Sequence, residues 1–219
     1  MGSRYKAMVF DMDGTLLNSM IFWRTMWWEY IDDHDLPVPA ELRDKTVYGC
    51  GKACDLIARD NGLDRDAVYR EMLEVYLARH YRDDVLPKPY AGEALRRFHQ
   101  AGYTVVVASA TPRRLSGPAL AKHGLLDYVD LVTDTEDMGA QKNSPVFFLN
   151  VAARLALRPD ECVMFEDAVY AMRSAKAAGM TVFAIDEPIS YPDKAEIRAL
   201  ADRYLMGWRE IAEAETLPF

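Results

Sequence analysis

Apolar residues along this chain fall into two patterns. Short, mainly apolar runs at residues 5–10, 104–108, 129–133, 162–165 and 181–185 lack the alternation of a half-exposed strand, so they read as strands buried on both faces. Helical periodicity fills the intervals. Residues 92–101 carry Leu95 and Phe98 on one face and stop at Gly102. Ser144 followed by Pro145 predicts a capped helix start, and Phe147, Val151, Ala152 and Leu155 continue it as an apolar stripe. Residues 167–178 form a further helical stretch that ends at Gly179. Strand and helix alternating in this way predict an α/β fold, a doubly wound, Rossmann-like parallel sheet whose ligands lie beyond the carboxyl ends of the strands.

Residues 17–88 break the rhythm. They hold no convincing strand, three of the four tryptophans (Trp23, Trp27 and Trp28) and several amphipathic helical stretches. Asp64 is placed to cap a helix running through Val68, Met72, Val75 and Tyr76, and Gly62 closes the stretch before it. Pro87 and Pro89 mark the return to the strand pattern. The expected organisation is a core domain of residues 1–16 and 89–219 with an inserted all-helical cap domain of residues 17–88. The tryptophans read as packing residues of a cap helix, with Trp23 also a candidate aromatic wall near the site entrance. Arg79, His80, Tyr81 and Arg82 read as a solvated basic cluster at a cap helix end.

Composition narrows the class. At 219 residues, half of them apolar, the chain suffices for one sizeable core and a smaller appendage. Its net charge of −8 comes from acids spread along its length, which argues for solubility and against a nucleic-acid partner. No segment reads as a leader or as a membrane span, so a cytoplasmic protein without a membrane partner, monomeric or homodimeric, is expected. Cys50, Cys54 and Cys162 are an odd number, against a disulfide framework. Cys50 and Cys54 lack a second ligand pair at zinc spacing and read as small buried hydrophobes.

The chemistry begins where the first strand ends. Asp11 and Asp13 are two apart, so extended geometry turns both carboxylates to one side. Like charges that close require a cation between them or a proton on one of them. Gly14 permits the tight turn after them, and the Thr15 hydroxyl can orient a carboxylate. Farther on, Ser109 follows the second strand, Thr111 and Pro112 look like the cap and first residue of a helix, Lys142 precedes the Ser144 cap, and Glu166–Asp167 follow another strand. Backbone N–H groups at the start of the helix after Ser109 would favour an anion.

Asp11 to Ser19, reading DMDGTLLNS, resembles the first motif of the haloacid dehalogenase superfamily of phosphotransferases. VVVAS ending at Ser109, KNSPVFF from Lys142 and FEDAVYAMRSAKAAGM from Phe165 resemble the second, third and fourth motifs, in the family's order. The third departs from the pattern, with Val146 for the usual aspartate and Asn143 for the usual proline. The resemblance implies Asp11 as nucleophile, Asp13 as general acid and base, and Ser109 and Lys142 as further catalytic groups. It also implies Mg²⁺ as cofactor, held by Asp11, Asp13 through its backbone carbonyl, Glu166 and Asp167. Thr15, Ser109, Ala110 and Lys142 would bind substrate.

A helical insertion after the first motif resembles the subfamily I group of β-phosphoglucomutase and phosphoglycolate phosphatase, whose caps close over small phosphorylated metabolites. There YGCGKACD, residues 48–55, resembles the cap's specificity loop and adds Lys52 as a substrate contact. The expected activity is phosphoric monoester hydrolysis through an aspartyl phosphate. A phosphomutase is the alternative, weakened because Trp23 stands about where such mutases carry histidine. A Schiff-base phosphonatase conflicts with the presence of Asp13, a dehalogenase needs neither Mg²⁺ nor that acid, and a non-catalytic binding protein would have no reason to retain the whole set.

Overall fold

The computed structural model describes residues 3–219, which divide into two compact units, residues 19–85 and the rest. The larger unit is a sheet of six parallel strands: β1 (Ala7–Phe10), β2 (Thr104–Ala108), β3 (Leu131–Thr133), β4 (Cys162–Glu166), β5 (Thr181–Ile185) and β6 (Arg203–Leu205). Their spatial order is β3-β2-β1-β4-β5-β6. The register pairs Phe10 with Val107 on one side and with Phe165 on the other, so β1 is central and its carboxyl end is level with those of β2 and β4. Strand order reverses at β1, the switch point at which open α/β sheets bind ligands.

Both faces of the sheet are covered, which explains the unalternating strands. On one face Ala7, Val9, Val106, Met164 and Val182 pack with Phe147, Val151, Met172 and Ile197. These side chains come from α7 (Pro145–Arg154), α8 (Val169–Ala177) and α9 (Lys194–Leu200). On the other face Phe10 stacks on Phe165 with ring centroids 4.7 Å apart, and Phe98 and Trp208 close over both rings. Phe98 belongs to α5 (Ala91–Gln100), and Trp208 directly precedes α10 (Arg209–Ala212); α6 (Arg113–Lys122) comes after β2. Gly102, at φ +84°, ends α5 in the left-handed conformation that glycine adopts without strain.

The smaller unit is helical: α1 (Met20–Asp33), α2 (Cys50–Asn61), α3 (Arg65–Glu71), a π-helical turn (Met72–Leu77) and α4 (Ala78–Asp83). Asp64 caps α3 by accepting the Ala67 N–H at 2.7 Å. Leu17 and Pro87, expected inside this insertion, instead bridge one another and belong to the sheet unit, because the chain leaves and returns as two adjacent extended segments. The π turn also corrects the expected stripe. A π turn holds more residues than an α turn and rotates the helix beyond it, so Met72, Leu73, Tyr76 and Leu77 are buried and Val75 is exposed.

Trp27 is fully buried and stacks on Trp28, while Trp23 is half-buried with its Nε1 donating to the Tyr81 hydroxyl at 3.3 Å. His80 and Tyr81 are buried rather than solvated: the His80 ring lies between Glu29 and Asp84, each 2.7 Å away, under the Phe22 ring. Among the described residues no helix is long and apolar enough to cross a membrane.

Candidate active site

Three neighbouring strands deliver the acids and hydroxyls. Asp11 extends β1, its N–H donating to the Phe165 carbonyl of β4 at 2.9 Å, and Ser109 extends β2, its N–H donating to the Thr133 carbonyl at 3.1 Å. Glu166 is the last residue of β4, and Asp167 is the next in the chain. A tight turn comes after Asp11: Gly14 takes φ +86°, and the Leu16 and Leu17 N–H groups both donate to the Met12 carbonyl. The indole of Trp208 pins this turn by donating to the Thr15 carbonyl at 2.7 Å.

Lys142 is 2% exposed, and its ammonium donates to Asp11 Oδ1 and to Glu166 Oε2, both at 2.6 Å. Two residues after the lysine, the Ser144 hydroxyl accepts the Val146 N–H at 3.3 Å and caps α7, with Pro145 in its first turn. The other Glu166 oxygen accepts the Asp167 and Ala168 N–H groups at 3.2 and 3.1 Å. Asp167 Oδ2 accepts the Ser190 hydroxyl at 2.9 Å.

Asp11, Glu166 and Asp167 are all buried, and each offers an oxygen within 4.8 Å of the others. Burial, and after it the charge of Glu166, pushes the Asp11 carboxyl up to about 8 against the opposing pull of Lys142. Burial and the same neighbouring carboxylates likewise hold Asp167 well above the ordinary range. Burial alone would lower the Lys142 ammonium, but Asp11 and Glu166 outweigh it and the group is raised. One fixed cation therefore does not balance the negative charge gathered here. The donors are hard oxygens in the number Mg²⁺ takes from a protein while it keeps waters and a substrate oxygen, so these residues fit that ion.

The Asp13 side chain is half-buried, with its Oδ2 accepting the Thr111 hydroxyl at 2.6 Å. Thr111 is consequently not the cap expected from the sequence. The helix α6 begins at Arg113, and the Arg113 N–H donates to Asp134 Oδ2 at 2.6 Å, while the Thr111 N–H donates to Ser109 Oγ at 3.0 Å. Pro112 has no N–H, and the Thr111 and Arg113 amides already donate within the protein, which leaves fewer of the amides after Ser109 to face an anion than the sequence suggested. Ala110 is exposed.

The structure thus brings together Asp11, Asp13, Ser109, Ala110, Lys142, Glu166 and Asp167. Thr15 is buried with its Oγ1 unpartnered among the described residues, so it does not orient a carboxylate here. Lys52 is exposed on the first turn of α2, in the other unit. Sequence reasoning missed four supporting residues: Thr111 on Asp13, Ser190 on Asp167, Asp134 on the β2–α6 loop and Trp208 on the Thr15 carbonyl.

The family model for haloacid dehalogenase-like hydrolases matches residues 5–179, which contain every one of the assembled acids and the lysine. The chain belongs to this family. It is 29% identical over 184 residues to a fructose-1-phosphate phosphatase of Escherichia coli, covering 82% of this chain and 96% of that protein. It is also 29% identical over 227 residues to hexitol phosphatase B of Escherichia coli, covering 96% of each. Among solved structures, that of a predicted phosphoglycolate phosphatase from Haemophilus somnus superposes with a TM-score of 0.76 at 17% identity, covering 97% of this chain and 99% of the other, a likeness of fold. The family member described here is a hydrolytic phosphatase of subfamily I.

Proposed function

We propose that the enzyme is a Mg²⁺-dependent phosphatase for a small sugar or polyol phosphate, working through an acyl phosphate on Asp11. The observation that carries this reading is the difference in surroundings between two acids two residues apart. Asp11 is buried in the charge cluster against Lys142, whereas Asp13 is half-buried and accepts the Thr111 hydroxyl. A nucleophile and a proton-transfer group need that difference in surroundings.

In this reading Lys142 fixes Asp11 through Oδ1 and leaves the second oxygen to attack phosphorus. The Asp11–phosphorus bond forms as the bond to the leaving oxygen breaks, and Asp13 gives that oxygen its proton. Asp13 then takes a proton from water as the water attacks the acyl phosphate, which releases phosphate and restores Asp11. Ser109 Oγ and the Ala110 N–H bind phosphate oxygens, and the Lys142 ammonium offsets the charge that accumulates there. Asp11, Glu166, Asp167 and the Asp13 carbonyl would hold Mg²⁺, which supplies further positive charge to the transferring phosphoryl group. The substrate class rests on the two Escherichia coli relatives, named for fructose 1-phosphate and hexitol phosphates. Three buried, unpaired cysteines support a reducing, cytoplasmic setting.

The test is phosphate release from a panel of sugar, polyol, short-acid and nucleotide monoesters, with Mg²⁺ and with chelator. Turnover of sugar or polyol phosphates that needs Mg²⁺ and disappears in Asp11→Asn supports the reading. Release unaffected by chelator or by that substitution overturns it.

A further inference from the structure

A second cluster of ligand atoms lies in the helical unit. Cys50 and Cys54 are four apart on α2 and so share one face. Met72, the first residue of the π turn, meets them there: its Sδ is 3.3 Å from Cys54 Sγ and 4.0 Å from Cys50 Sγ, and the two Sγ atoms are 4.0 Å apart. Cys54 and Met72 are fully buried, Cys50 is 6% exposed, and no disulfide joins the cysteines.

From this triangle of sulfurs we propose that the helical unit binds one soft monovalent metal ion, Cu(I) or the chemically similar Ag(I), through Cys50, Cys54 and Met72. Metal–thiolate bonds of about 2.3 Å place the corners of a three-coordinate site about 4 Å apart. Two edges of the triangle already have that length, and the third lengthens by rotation about the flexible bonds of methionine. The donor types select the ion. Thiolate with thioether is the set that favours Cu(I), whereas zinc takes four N, S or O donors and has no such fourth partner in this cluster.

Charge agrees with that assignment. Two thiolates and one monovalent ion leave a single negative charge. Arg65, fixed by Asp55 at 3.0 Å and Asp66 at 3.2 Å, places its guanidinium beside the Cys50 turn, where Nη2 is 3.8 Å from the position of a Cβ on Gly51. Cys50, the first residue of α2, is the most exposed of the three ligands. On binding, two S–H bonds give way to two S–metal bonds, both protons pass to solvent, and the thioether adds through a lone pair. The metal keeps its oxidation state and no electron moves.

The experiment is anaerobic titration of the reduced full chain with the Cu(I)–bicinchoninate complex, reading withdrawal of copper from the coloured chelate and the near-ultraviolet thiolate-to-copper absorption. One equivalent is expected for the wild type and for Cys162→Ser, and none for the Cys50→Ser/Cys54→Ser double variant. Met72→Leu, which conserves volume, is expected to keep the fold and lose affinity by about 10-fold or more, the scale at which a lost partner of a metal site registers. If the double variant does not fold, by circular dichroism, Met72→Leu decides. Failure of the wild type to withdraw copper, full uptake by a folded double variant, or unchanged affinity in Met72→Leu overturns the proposal.

Discussion

Thr111 Oγ1 donates to Asp13 Oδ2 at 2.6 Å across a separation of 98 residues, tying the loop after β2 to the turn after β1. That bond fixes one oxygen of the carboxylate assigned to proton transfer. Thr111→Val keeps the side-chain volume and removes the donor. The expected result is a fall in kcat of about 10- to 100-fold, the cost of a misplaced catalytic group, with KM little changed. Thr111→Ser should recover most of the rate. A loss in KM alone would place Thr111 in ground-state binding instead.

Asp11→Asn separates stability from catalysis. The wild-type carboxyl is driven up to about 8 chiefly by burial, so its ionised form is costly where it sits, and an amide of the same shape removes that cost. Without metal, Asp11→Asn is expected to melt at or above the wild-type temperature by calorimetry. Turnover should fall by at least about 10⁴-fold, as for loss of a covalent nucleophile. A variant both inactive and much less stable would show that Asp11 is a structural partner of Lys142 first.

How much of the fold and site is legible in the sequence depends on the range of each interaction. Strands β1, β2, β4 and β5 stand out because burial on both faces leaves a nearly continuous apolar stretch, and the half-buried edge strand β3 is still short and unalternating. Strand β6 does not stand out, since its three residues Arg203, Tyr204 and Leu205 grade from exposed to buried and resemble a loop. The acids and Lys142 can be picked out because the short segments that carry them resemble the motifs of the family. Thr111, Ser190 and Trp208 cannot. Each acts on a site residue distant in sequence through a single hydrogen bond, and a Thr-Pro pair at a helix start reads locally as a cap whatever its hydroxyl touches. The shift of Val75 to the surface is hidden for the opposite reason: a π turn is a local departure from the 3.6-residue period that sequence periodicity assumes.

Lys142→Met leaves Asp11 and Glu166 without their shared cation while roughly conserving volume. Removing one partner of a buried charge group costs about 3 kcal/mol or more, moderated here because Asp11 can take up a proton. The metal-free variant should therefore melt well below wild type, and Mg²⁺ should restore part of the difference. Lys142→Arg is not expected to rescue turnover, since a planar guanidinium cannot place one point charge 2.6 Å from both carboxylates. Urea titration and initial rates on the best substrate check both statements.

The raised acids also give the metal-free protein a defined pH response. The Asp11 carboxyl ionises at about 8 in the folded chain and at about 4 in the unfolded one, so between these values the folded state holds a proton that the unfolded state has released. Its contribution therefore falls as pH rises from about 4 to about 8 and is flat on either side. Asp167 is shifted in the same direction and adds to the slope. Lys142 is raised too, but its contribution is lost only above the ordinary lysine range, outside this window. Mg²⁺ competes with those protons for the same oxygens and binds the folded state alone, so the rise in Tm on adding it should be larger at pH 8 than at pH 5. Calorimetry at both values, with Mg²⁺ and with chelator, measures the difference directly. An equal rise at both, or a larger one at pH 5, would mean that the ion does not bind through Asp11 and Asp167.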